Sequence, residues 1–231
     1  EDARKQLVNV AADKLKAKSD DLVCAHGRVF IKGEPEKSAT LEEIARHSYY
    51  TRSGPIIGKG SYSQKELVFM DPETGMSPQY WQYYMYGTQV AEVEIDRETG
   101  EVKVLKLAVA CDVGKAINPF NCERQIEGGV LMAVGYGLHE ELTLDTGKIV
   151  NASFVDYKLP RAKDVPELIP IIVEAPHRDG PFGAKGLGEM PTIPTASAIS
   201  NAVYNAIGVR IKDLPITPEK ILRTLKEKGD S

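Results

Sequence analysis

The chain has 231 residues, of which 42% are hydrophobic and 27% charged, which is typical of a folded globular protein and too apolar for disorder. A net charge of -4 disfavours nucleic acid as the main partner, and no apolar run reaches the roughly 18 residues that a membrane helix needs. Three widely spaced cysteines argue against a disulfide framework and predict a reducing, cytoplasmic location.

The first predicted element is a helix over residues 4–16, where apolar side chains recur at helical spacing. It begins almost at residue 1, and we therefore expect the chain to start partway through a larger fold. A short hairpin follows, with His26 and Gly27 in its turn, and residues 33–35 are expected to close it.

A second helix is predicted over residues 41–50. Thr40 and Glu43 have the spacing of a capping box, in which each side chain accepts a hydrogen bond from the other residue's backbone N–H. The Gly/Ser-rich stretch 52–61 is typical of a loop. We place a possible boundary between two lobes at residues 61–78 and expect the two lobes to share one core.

The middle of the chain is rich in β-forming residues. Val, Ile and Leu side chains on either side of a Gly turn predict an antiparallel hairpin of residues 89–95 with 101–110. A similar hairpin is expected from residues 142–144 and 149–154. An apolar helix over residues 119–138 connects the two hairpins.

The predicted helix over residues 119–138 contains four glycines, each of which costs roughly 0.5–1 kcal/mol in a helix relative to alanine. Pro119 suits its first turn, because the N–H that proline lacks has no intrahelical partner there. Four glycines in one helix indicate that something approaches its backbone closely. These glycines are Gly128, Gly129, Gly135 and Gly137.

The last third of the chain is predicted to contain a strand at residues 171–174, a loop over 177–194, and helices over 195–207 and 218–228. Helices and strands are mixed without βαβ regularity. This order favours the α+β class, with helices and antiparallel hairpins, over a doubly wound sheet.

The strongest chemical signal is the glycine-rich run at 180–189, which ends in Glu189. Glycines let the backbone lie close to a ligand, and Glu189 lies ahead of the helix predicted from residue 195, whose dipole would help keep the carboxylate ionised. Such a carboxylate can serve as a general base. Two other interpretations stay open: a tight connection whose Glu faces solvent, and a phosphate-binding loop, although the spacing matches neither the Walker nor the dinucleotide pattern.

A second signal is Gln125, near the start of the glycine-containing helix, because an amide can both donate to and accept from a ligand. From the pattern alone, a polar residue on a solvated helix face is the better interpretation. Asp112 and Asn118 are interpreted as turn and cap residues. The aromatic cluster 80–84 is interpreted as interior packing by default, with lining of a pocket or contact with another subunit as open alternatives. The four histidines have no metal-ligand spacing.

Three segments in order resemble the molybdenum hydroxylases, the family of xanthine dehydrogenase and aldehyde oxidase. They are Asp-Val-Gly…Asn-Pro at 112–119, Gln-Ile-Glu-Gly at 125–128 and Gly-Ala-Lys-Gly-Leu-Gly-Glu at 183–189. The resemblance runs over nearly the whole chain and matches the C-terminal half of the large molybdopterin-binding region. It implies an α+β fold similar to the second molybdopterin-binding domain of xanthine dehydrogenase.

The resemblance implies a molybdenum–molybdopterin cofactor and a role for each matched residue. Glu189 would take the proton from a metal-bound hydroxyl, whose oxygen attacks an electron-poor carbon while hydride passes to a sulfido ligand. Gln125 would hydrogen-bond the apical oxo ligand. The cofactor-binding positions implied by the loop motif are Gly183, Ala184, Lys185 and Gly186. The implied reaction hydroxylates an N-heterocycle such as a purine, or an aldehyde, with oxygen from water.

The resemblance also implies partners, because the family's upstream cofactor loops, iron–sulfur domains and flavin domain are missing from this sequence. We expect a larger molybdopterin-binding chain or domain, with 2Fe–2S clusters and FAD on partner chains or domains. Activity is expected only after assembly with them. The alternative is a non-catalytic module that keeps the fold and serves binding or assembly.

Overall fold

The computed structural model describes residues 1–51, 54–61 and 67–229. The chain divides into two compact units, Glu1–Gln82 and Tyr83–Ser231, so the division falls just past the predicted boundary range. Each unit has its own cluster of buried apolar side chains, and the expectation of one shared core is therefore wrong. The physical reason is that each unit contains a sheet of its own with an apolar face to cover. Within these ranges, none of the helices combines the length and apolarity of a membrane span.

The first unit combines two helices with a three-stranded antiparallel sheet. Helix α1 is Asp2–Leu15 and α2 is Leu41–Tyr50, and the sheet has the order β1 (Leu22–Ala25), β2 (Arg28–Ile31), β3 (Glu34–Thr40). A single 3₁₀ turn leads into β1. The fully or almost fully buried side chains of this unit are Ala11, Leu22, Val29, Ala39 and Ile44.

Strand β3 is missing from the sequence-based prediction, which ends the hairpin at residues 33–35. It begins Glu-Pro-Glu-Lys, residues that are poor strand formers, and Pro35 has no N–H for a ladder. β3 pairs only with β2, so it lies at the edge of its sheet, where proline is tolerated.

The predicted capping box at the start of α2 is confirmed. The Thr40 hydroxyl accepts from the Glu43 N–H at 3.1 Å, and the Glu43 carboxylate accepts from the Thr40 N–H at 2.8 Å. Of the loop predicted at 52–61, residues 54–61 form no regular structure, and residues 52 and 53 lie outside the described part.

The second unit is built on a sheet of three strands in the order β4 (Gly87–Ile95), β5 (Val102–Asp112), β8 (Glu167–Val173). The predicted antiparallel hairpin is confirmed as β4 and β5. The predicted strand at 171–174 starts earlier and pairs with β5 in parallel, so this sheet is not purely hairpins. A parallel pair needs a long crossover, and the stretch between β5 and β8 supplies it.

Three helices cover one face of this sheet: α3 (Pro119–Leu138), α4 (Thr195–Ile207) and α5 (Pro218–Lys228). Their bounds match the predicted ones, because caps, first-turn prolines and terminal glycines mark them locally. Their apolar sides meet the inner face of β5. The largest fully buried side chains of this core include Leu107, Val109, Ile126, Val130, Val134, Ile199, Val203 and Ile221.

The second predicted hairpin is much shorter than expected. Only β6 (Leu144–Asp145) and β7 (Lys148–Ile149) pair, around the predicted turn. Residues 150–154 are not a strand. The side chains of both strands are exposed, so no apolar face holds a longer pairing in place.

Two of the four glycines in α3 are explained by close neighbours. A Cβ on Gly129 would lie 3.1 Å from Pro191, and one on Gly135 would lie 2.7 Å from Pro160. A Cβ on Gly137 would make only ordinary contact with α4, and one on Gly128 would meet nothing within 4 Å in the described chain. The prediction that something approaches this helix closely is confirmed at Gly129 and Gly135, and close packing does not explain the other two glycines.

Candidate functional site

The glycine-rich loop is attached to the end of β5 by two backbone hydrogen bonds. The Lys115 N–H donates to Gly183 O and the Lys185 N–H donates to Val113 O, both at 2.9 Å. Gly114 lies between them with a φ of 66°, and a Cβ there would be 2.3 Å from Gly183 O. Only glycine lets the two segments come this close.

A buried ion pair fixes the same junction. Lys185 Nζ lies 2.5 Å from Asp112 Oδ2, and the two side chains are only 9% and 5% exposed. The second Asp112 oxygen accepts from the Gly114 N–H at 3.0 Å, as a turn residue would. Burial disfavours the charged carboxylate, but the Lys185 ammonium and the Gly114 N–H outweigh it and hold the pKa of Asp112 below its usual range.

The pair shows what the sequence-based interpretation missed. Asp112 is more than a turn residue, and its partner is 73 residues away, so no local pattern could identify it. Lys185 was predicted at a cofactor-binding position. Its ammonium group already donates hydrogen bonds to Asp112 and, at 3.4 Å, to the carbonyl of Tyr84.

The backbone donors of the loop fall into two groups. All four predicted cofactor-binding positions already donate within the chain, at 2.9–3.1 Å; the acceptors of residues 183–186 are Gly180 O, Pro181 O, Val113 O and the Tyr83 hydroxyl. The N–H groups of residues 187–189 have no acceptor anywhere in the described ranges. The available donors therefore lie in the second part of the loop, immediately after the predicted positions.

Gln125 lies against the glycine-rich loop. Asn118 caps α3 by accepting from the Asn121 N–H at 3.1 Å, which sets the start of the helix. Two turns on, Gln125 Nε2 donates to Gly188 O at 2.8 Å. This carbonyl immediately precedes the N–H of Glu189.

Glu189 is exposed, and its carboxylate has neither a cation nor a donor beside it among the residues described. The helix predicted from residue 195 begins there, and a 3₁₀ turn, Met190–Thr192, lies between it and Glu189. A helix dipole acts only over the first turn of its own helix, so Glu189 is too far from α4 for the predicted dipole support.

A shallow pocket of about 340 Å³ opens between the start of α3 and the loop. Its polar side chains are three neutral amides and two lysines, and the other side chains that line it are mainly apolar. The pocket is lined by Val113, Lys115, Ile117, Asn118, Asn121, Cys122, Gln125, Ala184, Lys185, Leu187 and Gly188.

Two further residues at this site were not singled out from the sequence. The Tyr83 hydroxyl accepts from the Gly186 N–H at 3.1 Å, and its ring lies 4.9 Å from the ring of His177. Glu174 accepts from Lys115 Nζ at 2.8 Å, which lowers the pKa of its carboxyl. Tyr83 belongs to the aromatic cluster 80–84, for which lining of a pocket was an open alternative. Interior packing is wrong for Tyr80, Trp81 and Tyr84, which are exposed.

A family model described as the molybdopterin cofactor-binding domain matches residues 1–166, and the chain belongs to this family. The gamma subunit of the 6-hydroxypseudooxynicotine dehydrogenase complex of Paenarthrobacter nicotinovorans is 32% identical over 216 residues, which are 92% of this chain and 26% of that subunit. The aldehyde oxidoreductase of Megalodesulfovibrio gigas is 37% identical over 168 residues, covering 72% of this chain and 18% of its own.

The fold agrees with solved structures of the same class. Reconstituted CO dehydrogenase from Oligotropha carboxidovorans superimposes with a TM-score of 0.77 at 27% identity, covering 98% of this chain and 27% of that chain. The α+β fold and the resemblance to the molybdenum hydroxylases are thus confirmed. The chain spans about a quarter or less of the relatives it matches.

Proposed function

We propose that this chain is the base-bearing part of a molybdopterin-dependent hydroxylase. One observation carries the proposal. Gln125 donates a hydrogen bond to the carbonyl next to Glu189, at a pocket lined by amides, and the exposed Glu189 carboxylate has no partner among the described residues. The names of the relatives support the redox class, since they are dehydrogenases and an aldehyde oxidoreductase.

The residues present suit a molybdopterin cofactor. The neutral amides of Asn118, Asn121 and Gln125 can both donate to and accept from a pterin ring. The unpaired N–H groups of residues 187–189 suit an anionic or oxo acceptor. When bound, the cofactor supplies the redox chemistry, and the protein orients it.

In this proposal the loop has two tasks. Residues 183–186 do not contact the cofactor through their N–H groups, which are already paired, but set the position of the next three residues. The N–H groups of residues 187–189 are the donors that would face the cofactor. The proposed backbone contacts with the cofactor are therefore residues 187–189, which follow the predicted positions 183–186.

Glu189 is proposed as the general base. Its carboxylate needs no ion pair broken before it can accept a proton, because none is formed in the described chain. The Gln125 amide and the buried Asp112–Lys185 pair hold the backbone on either side of the available donors. A positioned base of this kind contributes about 10²–10⁴-fold to a rate.

The substrate is proposed to be an electron-poor carbon compound, an N-heterocycle such as a purine or an aldehyde. Iron–sulfur and flavin groups on partner chains would take the electrons away. A cytoplasmic location is proposed as well, since Cys24, Cys111 and Cys122 are all free thiols. Burial raises the pKa of the Cys111 thiol to about 11, so this cysteine stays unreactive in the core.

The test is to purify the chain from its native source with its bound partners, measure molybdenum per complex, and compare Glu189→Gln with the original. We expect molybdenum content to be kept and turnover to fall by about 10²–10⁴-fold. Glu98→Gln, an exposed carboxylate in the β4–β5 turn, is the matched control and should leave turnover unchanged.

Two results would overturn the proposal. If Glu189→Gln leaves turnover unchanged, Glu189 is not the general base. Recovery of the chain without molybdenum and without a molybdopterin-binding partner would instead support the non-catalytic module.

A further inference from the structure

One polar residue interrupts the inward row of strand β4. Side chains alternate along this strand, and its inward positions include Ala91, Val93 and Ile95, which pack against the core. Gln89 lies at the start of that row, and its Oε1 is buried with no donor beside it among the described residues. Burying an amide is unfavourable unless its hydrogen bonds compensate for the lost contact with water. A glutamine at this position therefore needs a reason beyond packing.

The reason is a backbone carbonyl close to Glu189. Gln89 Nε2 donates to Pro191 O at 2.7 Å, a contact between residues 102 positions apart in the chain. The same oxygen accepts from the buried Thr195 hydroxyl at 3.0 Å. Pro191 O thus has two donors, one from the sheet and one from the start of α4, and it belongs to the 3₁₀ turn that follows Glu189.

Packing holds the same 3₁₀ turn on two sides. Met190 is buried, and a Cβ on Gly87 of β4 would lie 2.7 Å from its sulfur. Pro191 is buried against α3, where a Cβ on Gly129 would lie 3.1 Å from the proline ring. The turn is therefore clamped between the first residues of β4 and the middle of α3.

The turn is joined to Glu189 through Thr192. The Thr192 N–H and hydroxyl both donate to Glu189 O, at 2.9 and 2.6 Å. On the other side of Glu189, Gln125 donates to Gly188 O at 2.8 Å. The backbone of Glu189 is thus restrained before it by one glutamine and after it, through the turn, by another.

We propose that Gln89 is a positioning residue for Glu189: its hydrogen bond to Pro191 O fixes the turn that sets the direction of the carboxylate. This inference rests on the proposed function, since it takes Glu189 as the base. A general base works only within hydrogen-bond reach of the proton it accepts, and a misplacement of about 1 Å can cost about 10²-fold in rate. Gln89 touches neither substrate nor cofactor in this role, so its whole effect on the rate should pass through Glu189.

The first experiment combines two substitutions in the assembled enzyme. Gln89→Met keeps the length of the side chain and removes the donor, and we expect turnover to fall by roughly 10- to 10²-fold with KM and molybdenum content unchanged. In the Glu189→Gln background, the same substitution should leave the residual turnover unchanged, because no base is left to position. A purely structural role would lower turnover by the same factor in both backgrounds and would overturn the inference. If Glu189→Gln alone leaves turnover unchanged, the proposed function fails and the inference falls with it.

Tyr157→Phe is the matched control. It also removes one hydrogen bond of a partly buried side chain, the 2.8 Å contact with Glu140, and both residues lie outside the loop and the turn. We expect each of the two substitutions to lower the melting temperature by roughly 1–6 °C. Only Gln89→Met should lower turnover, so an equal loss of turnover in Tyr157→Phe would also overturn the inference.

A second measurement does not depend on activity. The Thr192 N–H is paired with Glu189 O only while the turn is intact, so its amide exchange reports the turn directly. In an assembly made without molybdate, Gln89→Met should quicken exchange at Thr192 several-fold, while Tyr157→Phe should leave it unchanged. If exchange at Thr192 does not change in Gln89→Met, the hydrogen bond does not hold the turn, and the inference is wrong even where turnover falls.

Discussion

The two parts of the glycine-rich loop have opposite relations to the rest of the chain. Residues 180–186 are anchored: their N–H groups are paired from 183 onwards, and Lys185 is buried against Asp112. The N–H groups of residues 187–189 have no acceptor among the residues that the structure describes, and Glu189 is exposed. The difference shows that glycines in such a motif can serve close packing, while the groups available to a ligand lie beyond them.

The largest expected effect comes from breaking the anchored part. Lys185→Met leaves the Asp112 carboxylate buried without its cation and should lower the free energy of unfolding by about 3–5 kcal/mol. Chemical denaturation followed by circular dichroism measures it. The control is Lys115→Met, which breaks a pair whose side chains are 51% and 38% exposed and should cost less than about 1 kcal/mol. Equal effects of the two substitutions would show that the buried pair does not anchor the loop.

The next effect is the acid sensitivity of the same pair. The pKa of Asp112 is lower in the folded chain than in the unfolded one, so its contribution to stability is complete above the unfolded pKa of about 3.9 and is lost as the pH falls through the folded value. Asp112→Asn should therefore be less stable at neutral pH and show a smaller loss of stability below about pH 4. Denaturation curves across this range measure it, and parallel pH dependence of both proteins would contradict it.

The smallest effect concerns the free part of the loop. Gln125→Ala removes one exposed hydrogen bond to Gly188 and should lower the free energy of unfolding by about 0.5–1.5 kcal/mol. Amide hydrogen exchange at residues 183–186 should stay slow, because the N–H groups there keep their own acceptors. Faster exchange at residues 183–186 in Gln125→Ala would show that the loop moves as one piece and would remove the distinction between its parts.

The sequence predicts what is signalled locally. Helices α3, α4 and α5 have their predicted bounds because prolines, caps and glycines at their ends act within one turn. Strand β3 was missed because its residues are poor strand formers that an edge position tolerates. The parallel pairing of β5 with β8 depends on tertiary contacts that no short pattern encodes.

The candidate site shows the same limit. The resemblance led to Gln125 and Glu189, and the structure places Gln125 against the residue just before Glu189. The partner of Lys185 and the hydroxyl of Tyr83 could not be predicted, because each contact joins residues far apart in the chain. Nor does sequence reveal which backbone donors are already paired, since that depends on the docked geometry.

The parallel pairing of β5 with β8 also has a kinetic consequence. These strands are separated by more than fifty residues of crossover, so the entropy of closing a long loop opposes their meeting. The glycine-rich loop follows β8 in the chain and docks on the end of β5. We therefore expect the segment with Glu189, the proposed base, to reach its native position beside Gln125 only after the two strands have paired.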